Sequence, residues 1–132
     1  MIKKTITYTD YDGNERTEDF YFNLTKAELV EMQMSEAGGL EALIRKIIAE
    51  KDSKRIVEMF KGLILKSYGE KTLDGKRFEK SEEISRAFSQ TEAYSELFME
   101  ISTDADKATE FVKGIIPSSI SSKLPKEIDV NK

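Results

Sequence analysis

The chain has no cysteine and no histidine among its 132 residues. Without cysteine there is no disulfide framework and no thiolate metal site. Without histidine the usual general base and the commonest metal ligand are both missing. Catalysis would fall to carboxylates, lysine, tyrosine, serine or threonine. A long apolar run is lacking as well, so no stretch is long enough to span a bilayer. The opening MIKKTITYTDYDG lacks the apolar core of a signal peptide, so the protein is expected to stay in the cytoplasm where it is made. A basic excess is also missing. With 21 basic against 25 acidic residues the net charge is −4, which argues against broad nucleic-acid binding. Neither GxxxxGK[ST] nor GxGxxG occurs, and Gly69 and Gly75 stand too far apart for a phosphate loop. There is no internal repeat. Nothing in the chain calls for a cofactor.

What is present reads as one small domain, since this length buries a real core without metals or disulfides. Ile2 to Thr9 alternates β-branched and aromatic residues with polar ones, and Thr17 to Phe22 reads TEDFYF. The turn formers of DYDGNER lie between, which predicts a β-hairpin. Helix punctuation follows. Thr25 and Glu28 have capping-box spacing ahead of Leu29, Met32 and Met34, with a stop at Gly38-Gly39. Leu40, Leu43, Ile44, Ile47 and Ile48 share one face of a second helix. A third, capped by Asp52 or Ser53, carries Ile56, Met59, Phe60, Leu63 and Ile64 at i, i+3, i+4, i+7 and i+8, and Gly69 suits its C-terminal stop. Ser81 opens a short helix through Phe88. Ser89-Gln90-Thr91-Glu92 forms a second capping box ahead of Tyr94, Leu97, Phe98 and Ile101. Thr103-Asp104-Ala105-Asp106 starts a last helix with Ala108, Phe111, Val112 and Ile115 facing the core, and Pro117 ends it. The expected fold is α+β: an N-terminal β-hairpin packed on five to six short helices, with a small hairpin connector near residues 70–80. The expected domain is 1–117, and the Ser- and Lys-rich stretch 118–132 reads as a flexible tail.

Each candidate for chemistry has a plainer reading. Asp10, Asp12 and Asn14 alternate like the first ligands of a calcium loop. However, Glu15 stands where the loop needs glycine and Tyr21 where it needs a bidentate glutamate, so a solvated hairpin turn is the better reading. Asp104 and Asp106 suit the first turn of a helix, where carboxylates complement the dipole. Lys76-Arg77 would touch phosphate in a winged DNA-binding domain, but no helix carries a basic face to accompany such a wing. Glu92, Glu96 and Glu100 fall at i, i+4 and i+8 on one helix stripe, which suits a solvated face or an interface with a basic partner.

YTDYDGNERTEDFYFNLTKAEL, then ILKSYGEKTLDGKRFEKSEE, then FSQTEAYSELFMEI, in that order, resemble the tail assembly chaperones of long-tailed bacteriophages, particularly those of phages and prophages of Gram-positive hosts. The resemblance runs from Thr7 to Pro117. It implies a non-catalytic protein with no active-site residues. Such a chaperone would bind the tape measure protein, keep it soluble and help recruit tail tube subunits. It would act in the host cytoplasm in many copies, with possible self-association, and be absent from the mature virion. The polar end after Pro117 resembles the shorter of two products that such genes often yield by frameshifting. In that setting residues 67–83 read as a connector between two helical halves, with Lys76, Arg77 and Phe78 as a contact surface. Phe78 would anchor the hairpin if buried and bind a partner if exposed. Glu92, Glu96 and Glu100 would face basic stretches of the tape measure protein. The competing readings are a small structural virion protein, such as a tail completion or connector subunit, and a DNA-binding regulator.

Overall fold

A computed structural model describes residues 1–31 and 54–117, less the side chains of 54–56 and 105. Several expected features lie outside the described residues: Met32, Met34 and the Gly38-Gly39 stop, the Leu40–Ile48 helix, the Asp52 or Ser53 cap, and the tail 118–132. The described chain forms four strands and five helices, a mixed α+β fold.

The first hairpin is where the alternation placed it. Strands β1 (Ile2–Thr9) and β2 (Glu15–Phe22) pair antiparallel through eight residue pairs, from Ile2–Phe22 to Thr9–Glu15. The period of two sorts their side chains. Ile6 and Phe22 are buried on one face. On the other face Thr5 bonds Asp19 and Thr7 bonds Thr17, all exposed. The helices therefore cover one side of the sheet.

Helix α1 (Lys26–Glu31) begins with the expected capping box. The Thr25 N–H donates to Glu28 Oε1 at 2.9 Å, and the Glu28 N–H donates to Thr25 Oγ1 at 3.1 Å. Helix α2 (Lys54–Ser67) buries Phe60, Leu63 and Ile64. It passes straight into strand β3 (Tyr68–Lys71) with no loop. The buried Ser67 hydroxyl donates to Leu63 O at 2.6 Å, while the Ser67 carbonyl accepts the Asn23 N–H at 2.8 Å. The last turn is thus closed by a side chain and by the end of β2.

Gly69 does not have the role its position suggested. It is no left-handed helix stop, because among the described glycines only Gly13 (φ 83°) and Gly75 (φ 74°) have positive φ. Gly69 lies in β3, where a Cβ would stand 2.7 Å from the Phe78 ring and 2.9 Å from the Glu79 carbonyl oxygen. The residue 70–80 connector also does more than join two helical halves. Strand β3 pairs with β2 at Tyr21–Gly69 and Phe22–Tyr68, then with β4 (Phe78–Glu79), so the sheet order is β1-β2-β3-β4.

Helix α3 (Glu82–Ser89) is capped by Ser81, whose hydroxyl accepts the Ile84 N–H. The capping box expected at Ser89–Glu92 does not form. Ser89 ends α3, its hydroxyl bonded to Arg86 O, and Thr91 caps α4 (Glu92–Thr103) by accepting the Tyr94 N–H. In α5 (Ala105–Ile115) the cap is Asp104, which accepts the N–H groups of Asp106 and Lys107. Ile116 is extended before Pro117, as the pyrrolidine ring requires.

The core gathers Leu97 and Ile101 of α4 with Ala108, Phe111, Val112 and Ile115 of α5 against β1 and β2. Tyr94 and Phe98 pack half-buried against it. Phe88 of α3 is the aromatic hub. It stacks on Tyr68 at 4.1 Å and meets Phe20, Phe22 and Tyr94 at 5.3, 5.8 and 5.8 Å. One ring thereby joins α3 and α4 to the β2–β3 junction.

Candidate functional site

Lys76 and Arg77 sit in the exposed turn of the β3–β4 hairpin. Their backbones are tied down: the Lys76 N–H donates to Asp74 Oδ1 at 3.0 Å and the Arg77 N–H to Thr72 Oγ1 at 3.1 Å. Bonds from Thr72 and Lys76 also hold the Asp74 carboxyl below its usual pKa. Leu73 at the same tip is fully exposed. Phe78 is half-buried, with its ring over Gly69 and Lys80 Nζ 5.7 Å from its centroid. It packs on the β3 backbone, outside the main core.

The acidic stripe lies elsewhere. Glu92 is half-buried in the first turn of α4, Glu96 is exposed, and Glu100 reaches Lys4 Nζ at 3.4 Å. Glu96 and Glu100 line a cleft of about 220 Å³ with Thr5, Ile6 and Thr7. That cleft borders β1, whereas Lys76, Arg77 and Phe78 lie at the β4 end of the sheet. The structure does not bring the two sets together. Asp10 is used by the hairpin itself. Its Oδ1 accepts the N–H groups of Asp12 and Asn14, and its Oδ2 accepts Arg16 Nε at 2.6 Å. The Arg16 bond is the main reason its carboxyl sits below its ordinary pKa.

A third location emerges only from the folded chain. Because β2 pairs with β3 at two positions and no further, the strands fork beyond Tyr21. The Asp10 N–H bonds to Asn14 O at 2.8 Å and the Asn23 N–H to Ser67 O at 2.8 Å. Together these fix the ladder's alternation. Residues 16, 18 and 20 turn their backbone groups toward β1. Glu15, Thr17 and Asp19 turn theirs outward, where β2 has no pairing strand among the described residues.

Two hollows flank the fork, of about 330 and 320 Å³. Both are walled by Glu18, Phe20, Tyr68 and Glu70, and the larger also by Tyr8, Glu83 and Phe88 of α3. The surroundings are electronegative. The Tyr8 hydroxyl donates to Glu18, and that bond raises its pKa above the usual phenol value. Burial raises that of Tyr68, with Glu70 and Glu18 adding to it. Glu70 and Glu83 are exposed and have no ion-pair partner among the described residues. Two cations lie nearby. Arg16 is held by Asp10 and lies 3.7 Å from Glu18, and Lys71 Nζ is 6.0 Å from the Tyr21 ring centroid. Sequence reasoning missed this location because Gly69 read as a helix stop and the fork depends on only two tertiary pairs.

Unpaired strand backbone, half-exposed rings and free carboxylates are the means by which one polypeptide holds another. Among the described residues the chain is thus a small α+β fold whose β2 leaves backbone groups unpaired beside half-exposed rings and two carboxylates without an ion-pair partner. A family model described as phage tail assembly chaperone matches residues 1–131, and the chain belongs to that family. Neither a curated protein nor a solved structure matches the chain. Membership gives the protein a chaperone role in phage tail assembly.

Proposed function

We propose that the protein binds the tape measure protein, keeps it soluble and helps recruit tail tube subunits. The family match over residues 1–131 carries this reading. Its place of action is the host cytoplasm, with several copies along one tape measure chain and none in the finished particle. No described helix is long and apolar enough to cross a membrane. Contact is assigned to two surfaces: the Lys76-Arg77-Phe78 hairpin, and the Glu92, Glu96 and Glu100 stripe.

Co-expression with the tape measure protein of the same phage tests the reading. The tape measure protein should become soluble and co-purify. If it is insoluble alone and together, the reading fails, and recovery of this chain from purified virions would make it a structural subunit instead. Glu96→Lys should weaken capture without lowering the melting temperature. Unchanged capture would remove the acidic stripe from the contact surface.

A further inference from the structure

We propose that the edge of β2 from Glu15 to Asp19, which pairs with no strand among the described residues, takes up an extended segment of a partner protein as an added strand, with lysine or arginine side chains at alternate positions. The inference rests on the chaperone reading above and adds a third contact surface to the two assigned there.

Three observations converge on this edge. The outward backbone groups of Glu15, Thr17 and Asp19 form a ready template for strand addition, which gives affinity through the main chain and specificity through alternate side-chain positions. The adjoining hollow, about 330 Å³, is at the small end of the range for ligand pockets, roughly 300–1,000 Å³. It suits one or two side chains of an added strand. The carboxylates of Glu70 and Glu83 on its rim, which have no ion-pair partner among the described residues, favour a cation, and the half-exposed rings of Tyr8, Phe20 and Tyr68 suit the aliphatic stem that carries it. Because side chains of a strand alternate, residues i and i+2 of the incoming segment would share this side.

Charges along a strand edge also serve to prevent unwanted pairing. Here they do so selectively. A second copy would present the same acidic edge and be repelled, whereas a basic segment would be attracted. The cleft beside the outer edge of β1 has no aromatic ring in its wall, so the combination belongs to β2.

The test uses the full chain and two synthetic peptides, one alternating threonine with lysine and one alternating threonine with glutamate, at up to millimolar concentration. The lysine peptide should slow amide hydrogen exchange at Glu15, Thr17 and Asp19 at least tenfold and shift the ring resonances of Tyr8 and Tyr68. The glutamate peptide should do neither. Glu70→Gln with Glu83→Gln, both at exposed positions, should weaken the lysine peptide at least fivefold and flatten its salt dependence. Unchanged exchange at the three amides, or equal binding of the two peptides, overturns the proposal. The same exchange measurement on the co-purified tape measure complex separates the two readings. Capture with those amides unprotected removes the edge and keeps the chaperone reading. Peptide binding at the edge without tape measure capture does the reverse.

Discussion

In the β1–β2 hairpin, Asp10 and a positive-φ Gly13 turn the chain, and eight residue pairs follow. In the β3–β4 hairpin, Asp74 and a positive-φ Gly75 turn it, and two pairs follow. Turn chemistry therefore does not set ladder length. The long hairpin presents Ile6, Phe20 and Phe22 to the helices on one face, so each added pair extends a buried surface. In the short one Tyr68 sits at the start of β3 against β2 and the core, and the part paired with β4, Glu70–Lys71 with Phe78–Glu79, has a single ring, Phe78, which rests on the bare backbone of Gly69. Opening the first exposes the core, whereas opening the second exposes little. The two hairpins should behave as units of different stability within one fold.

The comparison breaks most visibly at Phe22, which is fully buried and meets Tyr68, Phe88 and Phe111 at 5.6, 5.8 and 5.3 Å. Phe22→Ala should cost about 3–5 kcal/mol, a large part of a typical domain's stability. Urea unfolding should show it as a lower midpoint for the whole protein, and a midpoint within error of wild type would refute the assignment of this ring as core. Gly69→Ala comes next. A methyl there meets both the Phe78 ring and the Glu79 carbonyl, so β4 must move, at about 1–3 kcal/mol. Adding Phe78→Ala should recover part of the loss but not all, because the carbonyl remains. Purely additive losses would show that the ring and the glycine do not meet.

A smaller effect sharpens the contrast. Gly13 and Gly75 both have positive φ and open space where a methyl would sit, so alanine at either position incurs backbone strain alone, about 1 kcal/mol. The readouts should nonetheless differ. Gly13→Ala should lower the global unfolding midpoint. Gly75→Ala should leave that midpoint nearly unchanged and speed amide exchange only around Thr72 to Arg77. Equal global losses would mean that the two hairpins open together.

Much of this fold could be read from residue spacing. The Thr25–Glu28 capping box, the Phe60-Leu63-Ile64 stripe and the Ala108–Ile115 face are local patterns, and each is fixed by contacts within a few residues of itself. The errors fall where distant partners decide. Gly69 has the look of a helix stop, but its identity is imposed by a ring nine residues away. Ser89 and Thr91 are both acceptable caps, and the burial of Phe88 settled which one serves, by keeping Ser89 in α3. The β2 edge was invisible for the same reason. Among the described residues its pairing with β3 stops after two positions, and no residue type marks the point where a neighbouring strand turns aside. Lys76, Arg77 and Glu96 were legible as exposed charge, but the half-burial of Glu92 and the Glu100–Lys4 pair were not. Nor was the separation of the two sets across the sheet, because strand order is a property of the fold.

One polar contact ties the less stable hairpin to the rest, and its pH dependence gives the finest test of the comparison. Lys80, which follows β4, donates to Glu28 Oε2 at 2.7 Å and to the Asn23 carbonyl at 2.6 Å. Burial alone would raise the Glu28 pKa, but bonds from Lys80 and Thr25 outweigh it and hold the carboxyl below its ordinary value. A carboxylate with a lowered folded-state pKa stabilises the fold above the unfolded value, about 4.3 for glutamate, and loses that contribution as pH falls through the folded value. The pair is only partly buried, so the effect is of order 1 kcal/mol. As pH falls below about 4.3, wild type should progressively lose this increment and Glu28→Gln should not, since glutamine cannot titrate. The loss should appear first as faster exchange in β4, with the β1–β2 ladder still protected. If acid instead loosened both hairpins together, the Glu28–Lys80 tie would belong to the global unit, and the distinction between the two hairpins would end at that contact.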